Sequence, residues 1–331
     1  MKLPSHLLRD TVQVAPGDHI LILNSAADAF VPQAAQRLGD GSMLLAEDNI
    51  AIATPQRGAQ IQRIAFHECM ARCPAATMDV AVMNLLYQPG KAWMLFGIEA
   101  AHHALREGGH LYIAGSKERG IVSLAKRVQD YFGNVETLEI SKGHRVLCAR
   151  KTGGQEIQVP HDLLSRVFAH GAMDEGTRVL LDALEVHVTD EALDLGCGAG
   201  FIGLHIAQRA RKGFVTMVDA SLAAVAASRQ AVEQSGLTNV RVLPSNGTAA
   251  VASQRFDLVA TNPPFHLGGI ETREVAERFI REAAQMLRPK GRFYMVANRF
   301  LKYEPTLRSH FPRVAEVGGN TRYKVLLATR Q

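Results

Sequence analysis

The run Ala192-Leu193-Asp194-Leu195-Gly196-Cys197-Gly198-Ala199-Gly200, with Phe201 to Ala207 behind it, leaves few folds open. An apolar stretch of strand character feeds a turn with three alternating glycines, and a helical pattern opens directly after it. Glycine reaches backbone conformations closed to other residues and lets the chain pass close to a ligand. The following helix N-terminus presents free N–H groups. Strand, glycine turn and helix in that order begin a β-α-β unit, so the expected fold class is α/β, a mainly parallel sheet with helices on both faces. Ligands of such sheets bind beyond the carboxyl ends of the strands.

Two cofactor classes use a turn of this kind. Gly198-x-Gly200-x-x-Gly203 with Asp219 some twenty residues on also spells a dinucleotide fingerprint. The methyl donor S-adenosylmethionine needs an acidic group near its ammonium, and Asp194 lies on the strand just before the glycines. Asp219 closes the next strand, Phe214 to Val218, where a carboxylate can accept both ribose hydroxyls. A later segment decides for the methyl donor. The apolar strand Phe256 to Thr261 runs into Asn262-Pro263-Pro264-Phe265. Two prolines fix φ and lack N–H donors, so the carbonyls of Asn262 and Pro263 are held as bare acceptors. With the Asn262 side-chain oxygen they can take both protons of an exocyclic amine, while Phe265 offers a face on which a base stacks. A dehydrogenase has no use for such a clamp.

From Val167 to Arg330 the sequence resembles the class I S-adenosylmethionine-dependent methyltransferases, and among them the bacterial ribosomal RNA guanine-N2 methyltransferases. The resemblance rests on the Asp194-to-Gly200 turn, on Asn262-Pro263-Pro264-Phe265-His266 followed by Gly268, and on Val167-Phe168-Ala169 leading to Asp174-Glu175-Gly176-Thr177 with Leu180-Leu181. Ala169 stands where the family usually has Ser. The resemblance implies methyl transfer to the N2 amine of a guanosine in ribosomal RNA, with Asn262, Pro263 and Phe265 at the reacting base. Asp194, Gly196, Gly198, Gly200, Asp219, Asn246 and Asn262 would surround the cofactor, and no metal is implied. The same clamp serves adenine-N6 and protein glutamine-N5 methylation, and a non-catalytic RNA-binding assembly factor is the alternative outside enzymes.

The N-terminal half repeats the plan with its chemistry removed. An offset of 178 residues pairs Asp79–Tyr87 with Asp257–Phe265, one of 182 pairs Leu105–Ala114 with Leu287–Val296, and one of 172 pairs His19–Ser25 with the glycine turn and Glu47 with Asp219. Asn24 then replaces Gly196, and Leu85-Leu86 replace the two prolines. Two tandem Rossmann-like domains are expected, residues 1–152 degenerate and without cofactor, residues 153–331 catalytic. The first is expected to recruit RNA or to stabilise the second, and its apolar run Ala92–Phe96 to pack against it.

Helical patterns cover Ala223 to Gly236 and Glu274 to Leu287; strand patterns cover Val240 to Leu243, Arg292 to Ala297 and Tyr323 to Ala328. No apolar run approaches the ~18 residues of a membrane span, and Met1 to His6 lack an apolar signal segment. A cytoplasmic monomer acting on ribosomal RNA or a ribosomal subunit is expected. Four cysteines suggest no disulfide framework. The net charge of +5 sits at one end: Arg299, Lys302, Arg308, Arg313, Arg322, Lys324 and Arg330 face only Glu304 and Glu316. Such a patch suits phosphate contacts.

Overall fold

In the computed structural model of the 331-residue chain, which describes residues 3–52, 60–153, 159–160, 162–167, 173–264 and 272–331, contacts divide the chain into two units, Met1–Val167 and Phe168–Gln331. The first unit runs α1 (Leu3–Thr11), β1 (His19–Leu23), α2 (Phe30–Arg37), β2 (Ser42–Ala46), β3 (Gln60–Ile64), α3 (Cys69–Arg72), β4 (Met78–Asn84), α4 (Lys91–Ala104), β5 (Leu105–Ser116), α5 (Ile121–Phe132), β6 (Glu136–Ser141), β7 (His144–Arg150) and α6 (Leu163–Val167). The second runs α7 (Glu175–Ala183), β8 (Glu191–Leu195), α8 (Phe201–Arg209), β9 (Phe214–Asp219), α9 (Leu222–Ser235), β10 (Val240–Pro244), β11 (Phe256–Thr261), α10 (Thr272–Met286), β12 (Leu287–Asn298), α11 (Glu304–His310), β13 (Arg313–Gly319) and β14 (Tyr323–Thr329).

Each unit holds a seven-stranded sheet of the same plan, β3-β2-β1-β4-β5-β7-β6 and β10-β9-β8-β11-β12-β14-β13. In the second, β10, β9, β8, β11 and β12 are parallel, and β14 and β13 add an antiparallel edge. The chain builds outward from β8 to β10, then returns to place β11 on the other side of β8. That reversal opens a crevice at the carboxyl ends of β8 and β11, where ligands of open α/β sheets bind.

Alternation along the strands sorts the core onto two faces. Leu193, Leu195, Val259, Phe293 and Met295 pack with Ala276, Phe279, Ile280 and Ala283 of α10. Ala192, Leu258, Ala260, Tyr294 and Val296 pack with Leu180 of α7, Ile202 and Ile206 of α8 and Val225 of α9. Full burial of a side chain such as Phe293 contributes about 1.5–3 kcal/mol, so the sheet that carries the crevice is held from both sides.

The C-terminal ends of α9 and α10 differ from the sequence patterns by one residue. Gly236 lies outside α9 and caps it at φ 67°, and Leu287 begins β12 where its pairing with Phe256 of β11 takes over. Trp93 and Phe96 of α4 both pack on Phe66, with ring centroids 5.2 Å apart in each pair, so these rings are engaged inside the first unit. Among the described residues no helix is long and apolar enough to cross a membrane.

Candidate active site

The glycine turn leaves β8 with Gly196 at φ 79°, Gly198 at φ 54° and Gly200 at φ 88°, all in the left-handed region that side chains disfavour. The turn delivers the chain into α8, whose third residue, Gly203, lies so close to β9 that a Cβ there would collide with Met217. Close packing brings the Gly203 N–H to Asp194 Oδ2 at 2.8 Å. Asp194 is fully buried and its Oδ1 has no partner. Burial, with the neighbouring Asp219 charge adding to it, pushes this carboxyl up to about 7. Buried acceptors are rarely left unmade, and an orphaned carboxylate oxygen next to a helix N-terminus fits a cationic donor. The ammonium of S-adenosylmethionine is such a donor.

Asp219 ends β9 and is held by two backbone donors, Gly198 N–H to Oδ2 and Ser221 N–H to Oδ1, both at 2.9 Å. Burial raises its pKa above the ordinary carboxylate value, against the pull of these bonds. At the end of β10, Asn246 Oδ1 accepts from Arg278 Nη1 at 2.6 Å, and Glu282 accepts the Thr248 N–H at 3.0 Å. α10 therefore fixes the loop that carries Asn246.

β11 ends in the clamp. Thr261 Oγ1 donates to the Leu195 carbonyl at 2.6 Å, fastening β11 to β8 at the crevice. The Asn262 amide nitrogen donates to both carboxylate oxygens of Asp174 at 3.2 Å and to Thr177 Oγ1 at 2.9 Å. Its Oδ1 is buried and has no partner. Asp174 is also the N-cap of α7, accepting the Thr177 N–H at 2.9 Å and the Thr177 hydroxyl at 2.7 Å. Asn320 and Arg322, in the turn between β13 and β14, hold Glu175 at 3.0 Å each. Pro263 is buried and Pro264 half-buried. Phe265, His266 and Gly268 lie outside the described residues, as do Phe168 and Ala169.

The strands thus bring Asp194, Gly196, Gly198, Gly200, Asp219, Asn246, Asn262 and Pro263 to the carboxyl edge of four neighbouring strands, β10, β9, β8 and β11. Sequence reading gave no role to Asp174, Thr177, Arg278 or Glu282. The spacing Asp174-x-x-Thr177 is itself a capping signal; the reach of Arg278 and Glu282 across to the β10 loop has no local signal.

The first unit preserves much of this network. Asn24, opposite Gly196, takes φ 45°, a conformation asparagine tolerates. Glu47, opposite Asp219, accepts the N–H groups of Ala26 at 3.0 Å and Asn49 at 3.3 Å, the counterparts of Gly198 and Ser221. Asn84, opposite Asn262, differs: its Oδ1 accepts the Leu86 N–H at 2.9 Å, and its backbone carbonyl accepts from Gln88 Nε2 at 3.2 Å. Gln88 is fully buried and also reaches the Leu23 carbonyl at 3.1 Å.

The C-terminal cations are mostly engaged. Arg299 pairs with Glu316, Arg322 with Glu175 and Lys324 with Glu304. Arg313 opens β13 beside Thr329, at the opposite end of the sheet from the crevice. Lys302 lies two residues beyond Phe300, which is 77% exposed, in the segment that follows the carboxyl end of β12.

The family model for the Methyltransferase small domain matches residues 162–327. Among curated proteins, ribosomal RNA small subunit methyltransferase C of Pseudoalteromonas atlantica is 31% identical over 86% of this chain and 85% of its own length. Its namesake from Hahella chejuensis is 29% identical over 93% of this chain and 99% of its own. Among solved structures, the T. thermophilus 16S rRNA N2 methyltransferase RsmC, in complex with AdoMet and guanosine, superposes with a TM-score of 0.82 at 28% identity, covering 100% of this chain and 92% of its own. On this similarity along nearly its whole length, and on the methyltransferase domain in its second half, the chain belongs to the ribosomal RNA small subunit methyltransferase C family.

Proposed function

We infer that the second unit binds S-adenosylmethionine and methylates the N2 amine of a guanosine in small-subunit ribosomal RNA. The observation that carries this reading is the pair of orphaned buried oxygens, Asp194 Oδ1 and Asn262 Oδ1, at the ends of adjacent strands. One suits a cation and the other an amine proton. Family membership and the RsmC structure with AdoMet and guanosine support the same assignment.

S-adenosylmethionine supplies a sulfonium methyl already activated toward nucleophiles. The glycine turn, Asp194, Asp219 and the Asn246 loop would hold it; Asn262 and Pro263 would hold the base. Guanine's amine is a poor nucleophile because its lone pair is delocalised into the ring. Accepting one amine proton at Asn262 Oδ1 and the other at the Pro263 carbonyl would favour a pyramidal nitrogen with its lone pair free. Those bonds strengthen as positive charge grows on nitrogen, which is stabilisation specific to the transition state. Phe265 is assigned the stacking face by the clamp sequence. To reach the crevice the base has to leave its helix or lie in unpaired RNA.

The first unit we assign to RNA recruitment or to support of the second. The Leu86 N–H occupies Asn84 Oδ1, whose counterpart Asn262 Oδ1 has no partner, so the first unit is read as binding no cofactor. The protein is assigned to the cytoplasm, where its RNA substrate is, and to a monomeric state.

Incubation with labelled S-adenosylmethionine and small subunits or their RNA, followed by nucleoside analysis, tests the assignment. N2-methylguanosine is the expected product, and Asn262→Ala should cut its formation about 100-fold, on the order of 3 kcal/mol, with cofactor affinity kept. N6-methyladenosine, labelled protein or no product would refute it.

A further inference from the structure

The two units offer an internal comparison at the clamp. Asn84 ends and Asn262 follows the fourth strand of its unit, and each donates its amide nitrogen to an aspartate, Asn84 to Asp28 at 2.6 Å and Asn262 to Asp174 at 3.2 Å. A carboxylate only accepts, so in both cases the amide must turn its nitrogen toward the acid and its oxygen away. The units diverge two residues later. In the first, Leu86 has an N–H, and that N–H claims Asn84 Oδ1 at 2.9 Å. In the second, the corresponding residue is Pro264, which has no N–H to give, and Asn262 Oδ1 is left buried without a partner.

We propose that Asp174 and Pro264 are positioning residues for methyl transfer, Asp174 by fixing the direction of the Asn262 amide and Pro264 by removing the donor that would otherwise occupy its oxygen. The inference rests on the assignment of Asn262 Oδ1 as acceptor for the target amine and adds two residues to it. It also gives the second proline of the clamp a role separate from that of the first. Pro263 presents its carbonyl; Pro264 keeps a neighbouring acceptor unfilled. Thr177 completes the lock, its Oγ1 accepting from Asn262 Nδ2 at 2.9 Å while its hydroxyl proton goes to Asp174 at 2.7 Å.

The test exchanges the partners. Asn262→Asp alone sets two carboxylates against each other, and like charges at that separation oppose ionisation. Adding Asp174→Asn restores a donor facing an acceptor. Asparagine caps helices as well as aspartate does, so α7 is kept and equal melting temperatures check this. Asp174→Asn and Asn262→Asp should each lower kcat by about tenfold or more, and the double variant should regain about tenfold over the product of the single losses. For Asp174→Asn, KM for RNA and calorimetric affinity for S-adenosylmethionine should stay within about twofold. Pro264→Ala should lower kcat similarly, because alanine at this position brings back the competing N–H.

A second readout needs no turnover. The Asn262 side-chain NH2 signals, assigned by their loss in Asn262→Ala, should exchange with water about tenfold faster in Asp174→Ser, which keeps the cap but replaces the carboxylate with a neutral hydroxyl. Simple multiplication of the kcat losses, a Pro264→Ala enzyme with wild-type kcat, or unchanged amide exchange would each overturn the proposal. A wild-type protein that yields no methylguanosine would sink the functional assignment instead, and the amide exchange would still decide whether the lock exists.

Discussion

Asp194 has a backbone donor on one oxygen and nothing on the other, and the residue itself has no exposure to water. Its proton therefore stays on to about pH 7 in the ligand-free protein, whereas in an unfolded chain it leaves near the ordinary aspartate value of roughly 4. Between those limits the folded state binds more protons than the unfolded one, so the ligand-free protein loses stability as pH rises through that window, by an amount on the order of 4 kcal/mol. A cation bound at Oδ1 reverses the preference, since it favours the charged form. Cofactor binding at pH 6 should accordingly release close to one proton, and affinity should climb up to about pH 7 and then level off. Calorimetry in two buffers of different ionisation heat measures the release, and Asp194→Asn should remove it. Equal apparent heats for the wild type in both buffers would show that Asp194 does not meet the cofactor's charge.

At the scale of elements, the glycine turn works because α8 can lie against β9 without an intervening side chain. A Cβ on Gly203 would meet Met217, a flexible residue in the core under the turn. Gly203→Ala should cost about 1–3 kcal/mol of stability by overpacking and weaken cofactor binding, because the Gly203 N–H that orients Asp194 moves with the helix. Thermal melts and titration of the same variant check both, and an unchanged melt would mean that Met217 yields freely. The parallel order of strands and the crevice at their carboxyl ends were legible in the sequence, because a strand, a glycine turn and an amphipathic helix are each defined over a few residues. The places of Asp194 near the end of β8 and of Asp219 at the end of β9 were legible for the same reason. The 88 residues between Asp174 and Asn262, and the 32 between Asn246 and Arg278, hide their pairings, since nothing local tells which capping acid faces which amide. The charge at the C-terminus was countable but its use was not, because Glu175 and Glu316 take up Arg322 and Arg299 only once the antiparallel edge has formed.

Across the whole molecule, the duplication separates what the fold needs from what the chemistry needs. Glu47 repeats the backbone bonds of Asp219, and Asn24 repeats the left-handed turn of Gly196, so these features belong to holding the strand ends together in both units. What the first unit lacks is an open acceptor on its clamp asparagine. Asn84 Oδ1 is filled by Leu86, the Asn84 carbonyl by Gln88, and Asn24 Oδ1 by the Asp48 N–H at 3.1 Å. A ligand entering there would have to break several buried hydrogen bonds, each leaving a group whose desolvation costs about 1–3 kcal/mol. The full-length protein should therefore bind one S-adenosylmethionine per chain, and Asp219→Ala should abolish that single binding event without uncovering another. Because Asp219 and Glu47 occupy equivalent places, the substitution acts on one unit and leaves the other intact as its own control. A titration that reaches two cofactors per chain, or residual binding heat in Asp219→Ala at wild-type affinity, would mean that the first unit opens in solution and that its internal bonds are a latch, not a seal.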